Sequence, residues 1–286
     1  MKHYFIQNFK SGLAIFFAAT IFVLITTSCC KDCNCEDNKK IDYTKFFIAH
    51  AGGAIDGIKY TNCLEALDLS YSKGCRLFEL DLSLTTDGKI VAAHDPPGIT
   101  EAEFMNRPIL GKYTPLNMEA INGWFRAHSN AVLITDKLND PKKIQKEFQF
   151  RNRVIMELFT WEAVDTAMQL KIKPMVSENL IFGTSKKAIE MGIKPQLRLR
   201  NSEIEQILLQ KKIEFICMSR YYCIAGNEDF LRGLKEKGIK NYVFHLELPY
   251  PIPGQSAEKY IWDYEMNFCY GMYANDLDLL TTLLEK

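Results

Sequence analysis

Residues 74–95 read GCRLFELDLSLTTDGKIVAAHD, and this stretch indicates the fold. An apolar run at 77–84 is followed by a Thr-Asp-Gly turn and a second apolar run at 89–94. Aspartate and glycine favour tight turns, so we expect two strands joined directly. Residues two apart in a strand point to the same side. The stretch therefore predicts a strand pair in which Glu79 and Asp81 share one face.

The rest of the chain alternates between strand-like runs and segments with helical spacing, which is typical of a parallel sheet with crossover helices. Eight or more such units favour a closed TIM-type (β/α)8 barrel, an α/β fold. An open doubly wound sheet is the alternative, but no glycine-rich phosphate loop opens any helix. The predicted strands are 46–50, 77–84, 89–94, 131–135, 153–159, 173–177, 195–200, 214–219, 241–248 and 271–274.

Overall composition excludes several classes of protein. Lysine plus arginine and aspartate plus glutamate both number 35, so no basic excess favours nucleic-acid binding. A charged share of 24% beside 12% aromatic residues excludes a disordered chain. The composition is that of a globular protein without a nucleic-acid partner.

The N-terminus has the layout of an export signal. Lys2 and Lys10 precede an apolar run at 13–25, which is too short for a hydrocarbon core of about 30 Å. Small residues follow, and then Cys29. This resembles a bacterial lipoprotein signal whose cysteine carries the lipid, although Thr26 stands where a leucine is usual. An uncleaved anchor helix is the alternative.

We therefore expect three regions: a signal peptide at 1–28, a flexible tether at 29–44 and the barrel at 45–286. The barrel region has about the size of one (β/α)8 domain. Both interpretations of the N-terminus place the rest of the protein outside the cytoplasm at a membrane surface. The lipoprotein signal, which we favour, predicts an exported protein that is lipid-anchored in the bacterial cell envelope, on the periplasmic face or the cell surface.

Candidate functional residues lie at predicted strand ends, where a parallel barrel keeps its active site. His50 and His94 each end a strand. Glu79 and Asp81 would repel each other unless a cation neutralises them, and Ca²⁺ or Mg²⁺ prefers such oxygen ligands. Asp136 ends the following strand and offers a third carboxylate.

The passage IAHAGG…YTNCLEAL…GCRLFELDLSLTTDGKIVAAHD, within 48–95, resembles the opening of the glycerophosphodiester phosphodiesterase family. The resemblance implies a TIM-type barrel and a metal-dependent phosphodiesterase. His50 and His94 would then be the acid–base pair. Three carboxylates, those of Glu79, Asp81 and a third residue, would hold one divalent cation.

This sequence departs from the family pattern at several places. The arginine expected after the first histidine is Ala51, and the glutamate of a Glu-Asn-Thr motif is Thr61. The family's third ligand and its lysine stand two apart, whereas Asp136 and Lys137 are adjacent. We favour Asp136 as the third ligand over Thr135, since a cation gains most from another charge, and keep Glu157 in reserve.

The missing arginine removes a positive charge from the expected phosphate site. Residues that could return it lie on or just after predicted strands: Lys137, Arg198, Arg200 and Arg220. An aromatic face near the C-terminus is supplied by Phe244, where the family has tryptophan. The expected substrate-binding residues are Lys137, Arg198 and Phe244.

Three functions are compatible with these residues. The first is hydrolysis of glycerophosphodiesters or related phospholipid head-group diesters. The second is a phospholipase-type lyase that gives a cyclic phosphate, and the third is a degenerate barrel that binds a phosphorylated or glycan ligand. Residues 96–113 contain no barrel strand and are expected to form a lid.

We predict that Cys29 carries the lipid anchor. Replacing it with serine (Cys29→Ser) should release the exported protein from the membrane in unmodified form, because no acylated residue remains. Membrane fractionation with mass spectrometry of the N-terminal peptide measures this. Unchanged membrane attachment of Cys29→Ser would contradict lipidation and favour the anchor helix.

Overall fold

The computed structural model describes residues 41–246 and 254–286. Eight parallel strands within them form a closed ring, because the first strand pairs with both the second and the last. The fold is therefore a TIM-type (β/α)8 barrel, as the sequence predicts. The barrel strands are β1 (Phe47–Ala49), β2 (Leu77–Leu84), β4 (Val132–Asp136), β5 (Val154–Leu158), β6 (Lys173–Ser177), β7 (Phe215–Ser219), β8 (Lys240–Phe244) and β9 (Gly271–Ala274).

The expected signal peptide and Cys29 lie outside the described residues. Within the described part of the chain, no helix combines the length and the apolar character needed to cross a membrane. Residues 41–44 of the expected tether are described, and a 3₁₀ turn at Tyr43–Lys45 leads into β1. The Tyr43 ring lies 5.8 Å from the ring of Trp262.

A ninth strand, β3 (Ile90–Ala92), lies outside the barrel and pairs antiparallel with β2. The Thr-Asp-Gly turn joins the two strands directly, as predicted. Gly88 takes a φ of +73° there, which glycine adopts without strain. Because β3 runs antiparallel to the last three residues of β2, the chain after β3 lies beside Asp81. The backbone N–H of Ala93 donates to the Asp81 carbonyl at 2.8 Å.

Helices surround the barrel, and several begin at a capping side chain. Thr160 accepts a hydrogen bond from the Ala163 N–H at the start of the helix after β5. The helices are α1 (Leu64–Ser72), α2 (Glu101–Met105), α3 (Met118–Ala127), α4 (Pro141–Glu147), α5 (Trp161–Gln169), α6 (Glu178–Phe182), α7 (Lys186–Glu190), α8 (Asn201–Gln210), α9 (Arg220–Cys223), α10 (Glu228–Glu236), α11 (Ala257–Tyr264) and α12 (Asp278–Leu284).

Strand alternation divides the core into two layers. The outer layer, between strands and helices, includes Phe78 and Leu80 of β2. Glu79 and Asp81 therefore point to the barrel interior. The apolar part of that interior consists of Ile48, Ile134, Ile155, Met175, Phe215, Cys217, Tyr242, Phe244 and Tyr273. The carboxylates lie on the same inner face, toward the C-terminal ends of the strands.

The predicted strand at 195–200 is wrong. Residues 193–200 have no regular structure. The barrel leaves no place for a strand here, because β6 pairs directly with β7. The segment packs instead beside Gly183, whose carbonyl accepts a hydrogen bond from the Gln196 N–H at 2.6 Å. A β-carbon at Gly183 would lie 2.7 Å from that segment's backbone, so the close approach requires glycine.

Candidate active site at the C-terminal barrel end

A cavity of about 640 Å³ opens at the carboxyl ends of the barrel strands, where TIM barrels keep their active sites. Residues of strand ends and of the loops that follow them form its wall. None of the described residues 96–113, expected to form a lid, lines it. The lining residues are His50, Tyr60, Asp81, His94, Asp136, Lys137, Glu178, Lys186, Lys187, Glu190, Ser219, Tyr221, Tyr222, Phe244, His245 and Tyr273.

Three buried carboxylates converge at this cavity. One oxygen from each of Glu79, Asp81 and Asp136 lies within 4.8 Å of the other two. The strand register accounts for this, because Asp81 on β2 pairs directly with Asp136 on β4. Such a group of acidic oxygens matches the ligands that a hard divalent cation takes.

Glu79 is the most deeply placed of the three. Its Oε2 accepts the Ala51 backbone N–H at 2.7 Å. Its Oε1 is buried and has no hydrogen-bond partner among the described residues. Burial and the neighbouring carboxylates of Asp81 and Asp136 raise the pKa of Glu79 well above its usual range. An unpartnered buried oxygen among like charges fits a cation ligand.

Asp81 is held by Asn62, the residue that matches the family motif. The Asn62 amide donates to Asp81 Oδ2 at 3.0 Å, and the Asp81 N–H donates back to Asn62 Oδ1 at 3.0 Å. Burial raises the pKa of Asp81, and the charge of Asp136 raises it further. Thr61, the departure beside Asn62, contacts the Cys63 thiol at 3.1 Å and does not line the cavity.

The structure decides between Thr135 and Asp136 as the inward-facing residue. Ile134 belongs to the barrel interior and Leu133 to the outer layer. By alternation Thr135 faces outward and Asp136 faces the cavity. The Lys137 backbone N–H donates to Asp136 Oδ1 at 2.5 Å, which turns the carboxylate toward the strand end.

Both candidate histidines line the same cavity. His50 begins a 3₁₀ turn directly after β1, and its ring meets the rings of Tyr60 and Tyr273 edge-on at 4.8 and 5.6 Å. His94 follows β3, and its Nδ1 lies 3.2 Å from Asp95 Oδ1. The site therefore combines three carboxylates with two imidazoles.

Among the expected replacement cations, only Lys137 lines the cavity. Arg198 does not line it, and its guanidinium lies 5.5 Å from the centre of the Phe182 ring. Arg200 is exposed and pairs with Glu203 at 2.7 Å. Arg220 is buried in an ion pair with Glu265, with N–O distances of 2.6 to 3.0 Å.

A lysine that sequence analysis missed occupies the cavity wall. Lys187 of α7 places its Nζ 2.5 Å from Asp136 Oδ2 and 2.8 Å from Glu157 Oε2. Glu157, the reserve ligand, has its other oxygen bound by the Ser177 hydroxyl at 2.6 Å. Both carboxylate oxygens of Glu157 are therefore hydrogen-bonded, one to Lys187 and the other to Ser177. No sequence signal separates Lys187 from an ordinary surface lysine.

Glu178 is a second cavity-lining residue that sequence analysis missed. It begins α6 directly after β6, and its Oε2 accepts the Ser219 N–H at 2.7 Å. Burial raises the pKa of Glu178 to about 7. The one available signal was its position at the end of the predicted strand 173–177. Phe244, which was expected here, also lines this cavity.

Comparisons with known proteins agree with the architecture. No family model matches the chain, and no curated protein matches it. Solved structures are similar to it over 84% of its length. A candidate glycerophosphodiester phosphodiesterase from Galdieria sulphuraria is 16% identical, covered over 98% of its own chain, with a TM-score of 0.61.

Two further structures give the same result. A glycerophosphodiester phosphodiesterase from Parabacteroides distasonis is 15% identical and covered over 98%, with a TM-score of 0.58. A phosphodiesterase from Oleispira antarctica, solved with the product sn-glycerol-3-phosphate, is 14% identical and covered over 97%, with a TM-score of 0.56. These likenesses show the fold.

Replacing Glu178 with glutamine should stabilise the protein at alkaline pH. An acid whose pKa is higher in the folded state reduces stability as pH rises from its usual 4.5 to about 7. Glutamine escapes this loss while still accepting the Ser219 N–H. The free energy of unfolding of Glu178→Gln should exceed that of wild type by an amount that grows over this pH range, to at most about 3 kcal/mol. Urea unfolding at pH 5 and pH 8 measures this difference.

Glu190→Gln is the matched control, because Glu190 is an exposed carboxylate that also lines the cavity, and this surface substitution should change stability little. A stability difference between wild type and Glu178→Gln that is the same at both pH values would contradict the placement of Glu178.

Proposed function

We propose that this protein is a divalent-cation-dependent phosphodiesterase that hydrolyses glycerophosphodiesters or related phospholipid head-group diesters. The observation that carries the proposal is the meeting of Glu79, Asp81 and Asp136 within 4.8 Å at the cavity that His50 and His94 also line. Barrel-fold likeness to several glycerophosphodiester phosphodiesterases supports it. So does the sn-glycerol-3-phosphate product bound to the Oleispira phosphodiesterase.

The three carboxylates would hold the cation, and Ca²⁺ or Mg²⁺ suits their oxygen atoms. When bound, the cation supplies positive charge that stabilises the phosphate oxygens as negative charge develops on them. The Ala51 N–H donates to Glu79 and the Asn62 amide donates to Asp81, and these hydrogen bonds hold the two carboxylates in position. These contacts hold the ligand set before substrate arrives.

His50 and His94 would divide the proton transfers. One imidazole takes the proton from the attacking water, and the other donates a proton to the departing alkoxide. They follow different elements, β1 and β3, and both line the cavity. In-line displacement at phosphorus requires acid and base on opposite sides of the phosphate. The lyase alternative uses the same residues with a substrate hydroxyl as nucleophile.

We also propose that the barrel is exported and held at the bacterial cell envelope through lipid on Cys29. The support is the sequence: the basic start, the short apolar run at 13–25 and the cysteine after it. A location at a membrane surface agrees with a phospholipid-derived substrate.

The function is tested by incubating the purified protein with a panel of phosphodiesters, with added Ca²⁺ or Mg²⁺, and by following the products with phosphorus NMR. Hydrolysis should give a free phosphomonoester. A cyclic phosphate would identify the lyase instead. No turnover of any diester with either cation would contradict the proposal and favour a binding protein.

His50→Gln and His94→Gln should each lower kcat by about 10²–10⁴-fold, because each removes a proton-transfer group. Asp81→Asn should lower both activity and cation affinity. His128→Gln is the control: its ring stacks on Trp124 at 4.1 Å in the helical layer, away from the cavity. Activity of either cavity-histidine variant within threefold of wild type would contradict the assigned roles.

A further inference from the structure

Lys187 differs from the adjacent Lys186 on the connection between β6 and β7. Its side chain is 16% exposed, while that of Lys186 is 92% exposed. Ser185 caps the start of α7 by accepting the Ala188 N–H, which fixes the direction of this turn. The chain therefore turns one lysine of a pair inward, toward the barrel.

The inward ammonium group is held by two carboxylates on neighbouring strands. Its Nζ contacts Asp136 Oδ2 at 2.5 Å and Glu157 Oε2 at 2.8 Å, and it lies 5.1 Å from the centre of the Phe244 ring. An ammonium group has three donor hydrogens. Two serve these carboxylates, and the lysine lines the cavity, so the third donor remains for a ligand there.

Lys187 also lies next to the place where a phosphate would bind. Asp136, its direct partner, is one of the three carboxylates that converge on the cation site. A phosphate oxygen on a cation held by these carboxylates would lie on the same side of the cavity as this ammonium group. Lys137, the other lysine near Asp136, has no ion pair with a described carboxylate to fix its ammonium group, whereas Lys187 has two.

We propose that Lys187 is the phosphate-binding cation of this site and that Glu157 holds it in place. The inference rests on the proposed function, and it assigns to α7 the charge that the residue after His50, here Ala51, does not supply. Because two carboxylates fix the lysine in advance, little side-chain freedom is lost when phosphate binds. Lys187 thus acts by direct contact with substrate, and Glu157 is a positioning residue.

If Lys187 binds phosphate, removal of its charge should lower the affinity for phosphate without lowering the affinity for the cation. Lys187 and the divalent cation both act on Asp136 and repel each other, so Lys187→Met should leave cation affinity unchanged or increase it. The same change removes a charge-assisted contact to phosphate. We expect the dissociation constant of phosphate to rise about ten- to hundredfold.

Isothermal titration calorimetry on the whole protein measures both quantities without turnover: Mg²⁺ alone, then inorganic phosphate at saturating Mg²⁺. Lys194→Met is the matched control, because Lys194 is an exposed lysine on the same connection and does not line the cavity. Its affinities for both ligands should stay within twofold of wild type.

Lys187→Met leaves Glu157 buried without its cation, so the double variant Lys187→Met/Glu157→Gln guards against misfolding. It should fold as stably as wild type and still bind phosphate weakly. Lys187→Arg, which keeps the charge, should retain more phosphate affinity than Lys187→Met.

Phosphate affinity of the folded double variant within twofold of wild type would overturn the assignment. So would a parallel loss of Mg²⁺ and phosphate affinity, which would indicate that Lys187 only maintains the cation site. If wild type binds phosphate through Lys187 but hydrolyses no diester, the proposed function fails and the assignment of Lys187 stands. If wild type hydrolyses diesters and the variants retain phosphate affinity, the assignment of Lys187 fails and the proposed function stands.

Discussion

Mutual repulsion of buried carboxylates is the constraint on which this barrel end depends. Glu79, Asp81, Asp136 and Glu157 share the inner face of three neighbouring strands. Burial raises the pKa of Glu79, Asp81 and Glu157, and the charge of Asp136 raises each of them further. Lys187 contacts two of these four carboxylates, but its single positive charge offsets only one negative charge. The remaining excess of negative charge is what a divalent cation would neutralise.

The backbone around the site is shaped to hold these charges. Ala51, Asn62 and Lys137 all adopt positive φ values, of 48°, 51° and 65°. Such conformations are uncommon for residues other than glycine. Each of the three donates a hydrogen bond to one carboxylate: Ala51 to Glu79, Asn62 to Asp81 and Lys137 to Asp136. Three of the nine non-glycine residues with positive φ in the described part of the chain therefore orient the carboxylates, and backbone strain of this kind is common at functional sites.

Much of the architecture could be predicted from the sequence because the signals are local. Period-two alternation in 77–84 put Glu79 and Asp81 on one face, and the Thr-Asp-Gly turn fixed the β2–β3 connection. The alternation of Arg198 and Arg200 with leucines gave the same local signal at 195–200, where no strand forms. What excludes a strand there is the direct pairing of β6 with β7, a long-range fact that a local pattern does not contain.

The source of positive charge could not be predicted for the same reason. Lys187 is one of two adjacent lysines in a five-residue helix, and only the tertiary fold turns it toward Asp136 and Glu157. Arg220 looked equally suitable in sequence, but Glu265 of a distant segment binds it in the interior. The pairing of a buried charge depends on partners that are remote in the chain.

The most direct test of the central claim is the position of a bound cation. Crystals grown with Mn²⁺, a divalent ion that also takes oxygen ligands and that anomalous scattering locates, should show one ion contacted by Glu79, Asp81 and Asp136. Crystals of Asp81→Asn provide the control and should show that ion weakened or lost. An ion bound only elsewhere, or no ion at these carboxylates at millimolar Mn²⁺, would contradict the account.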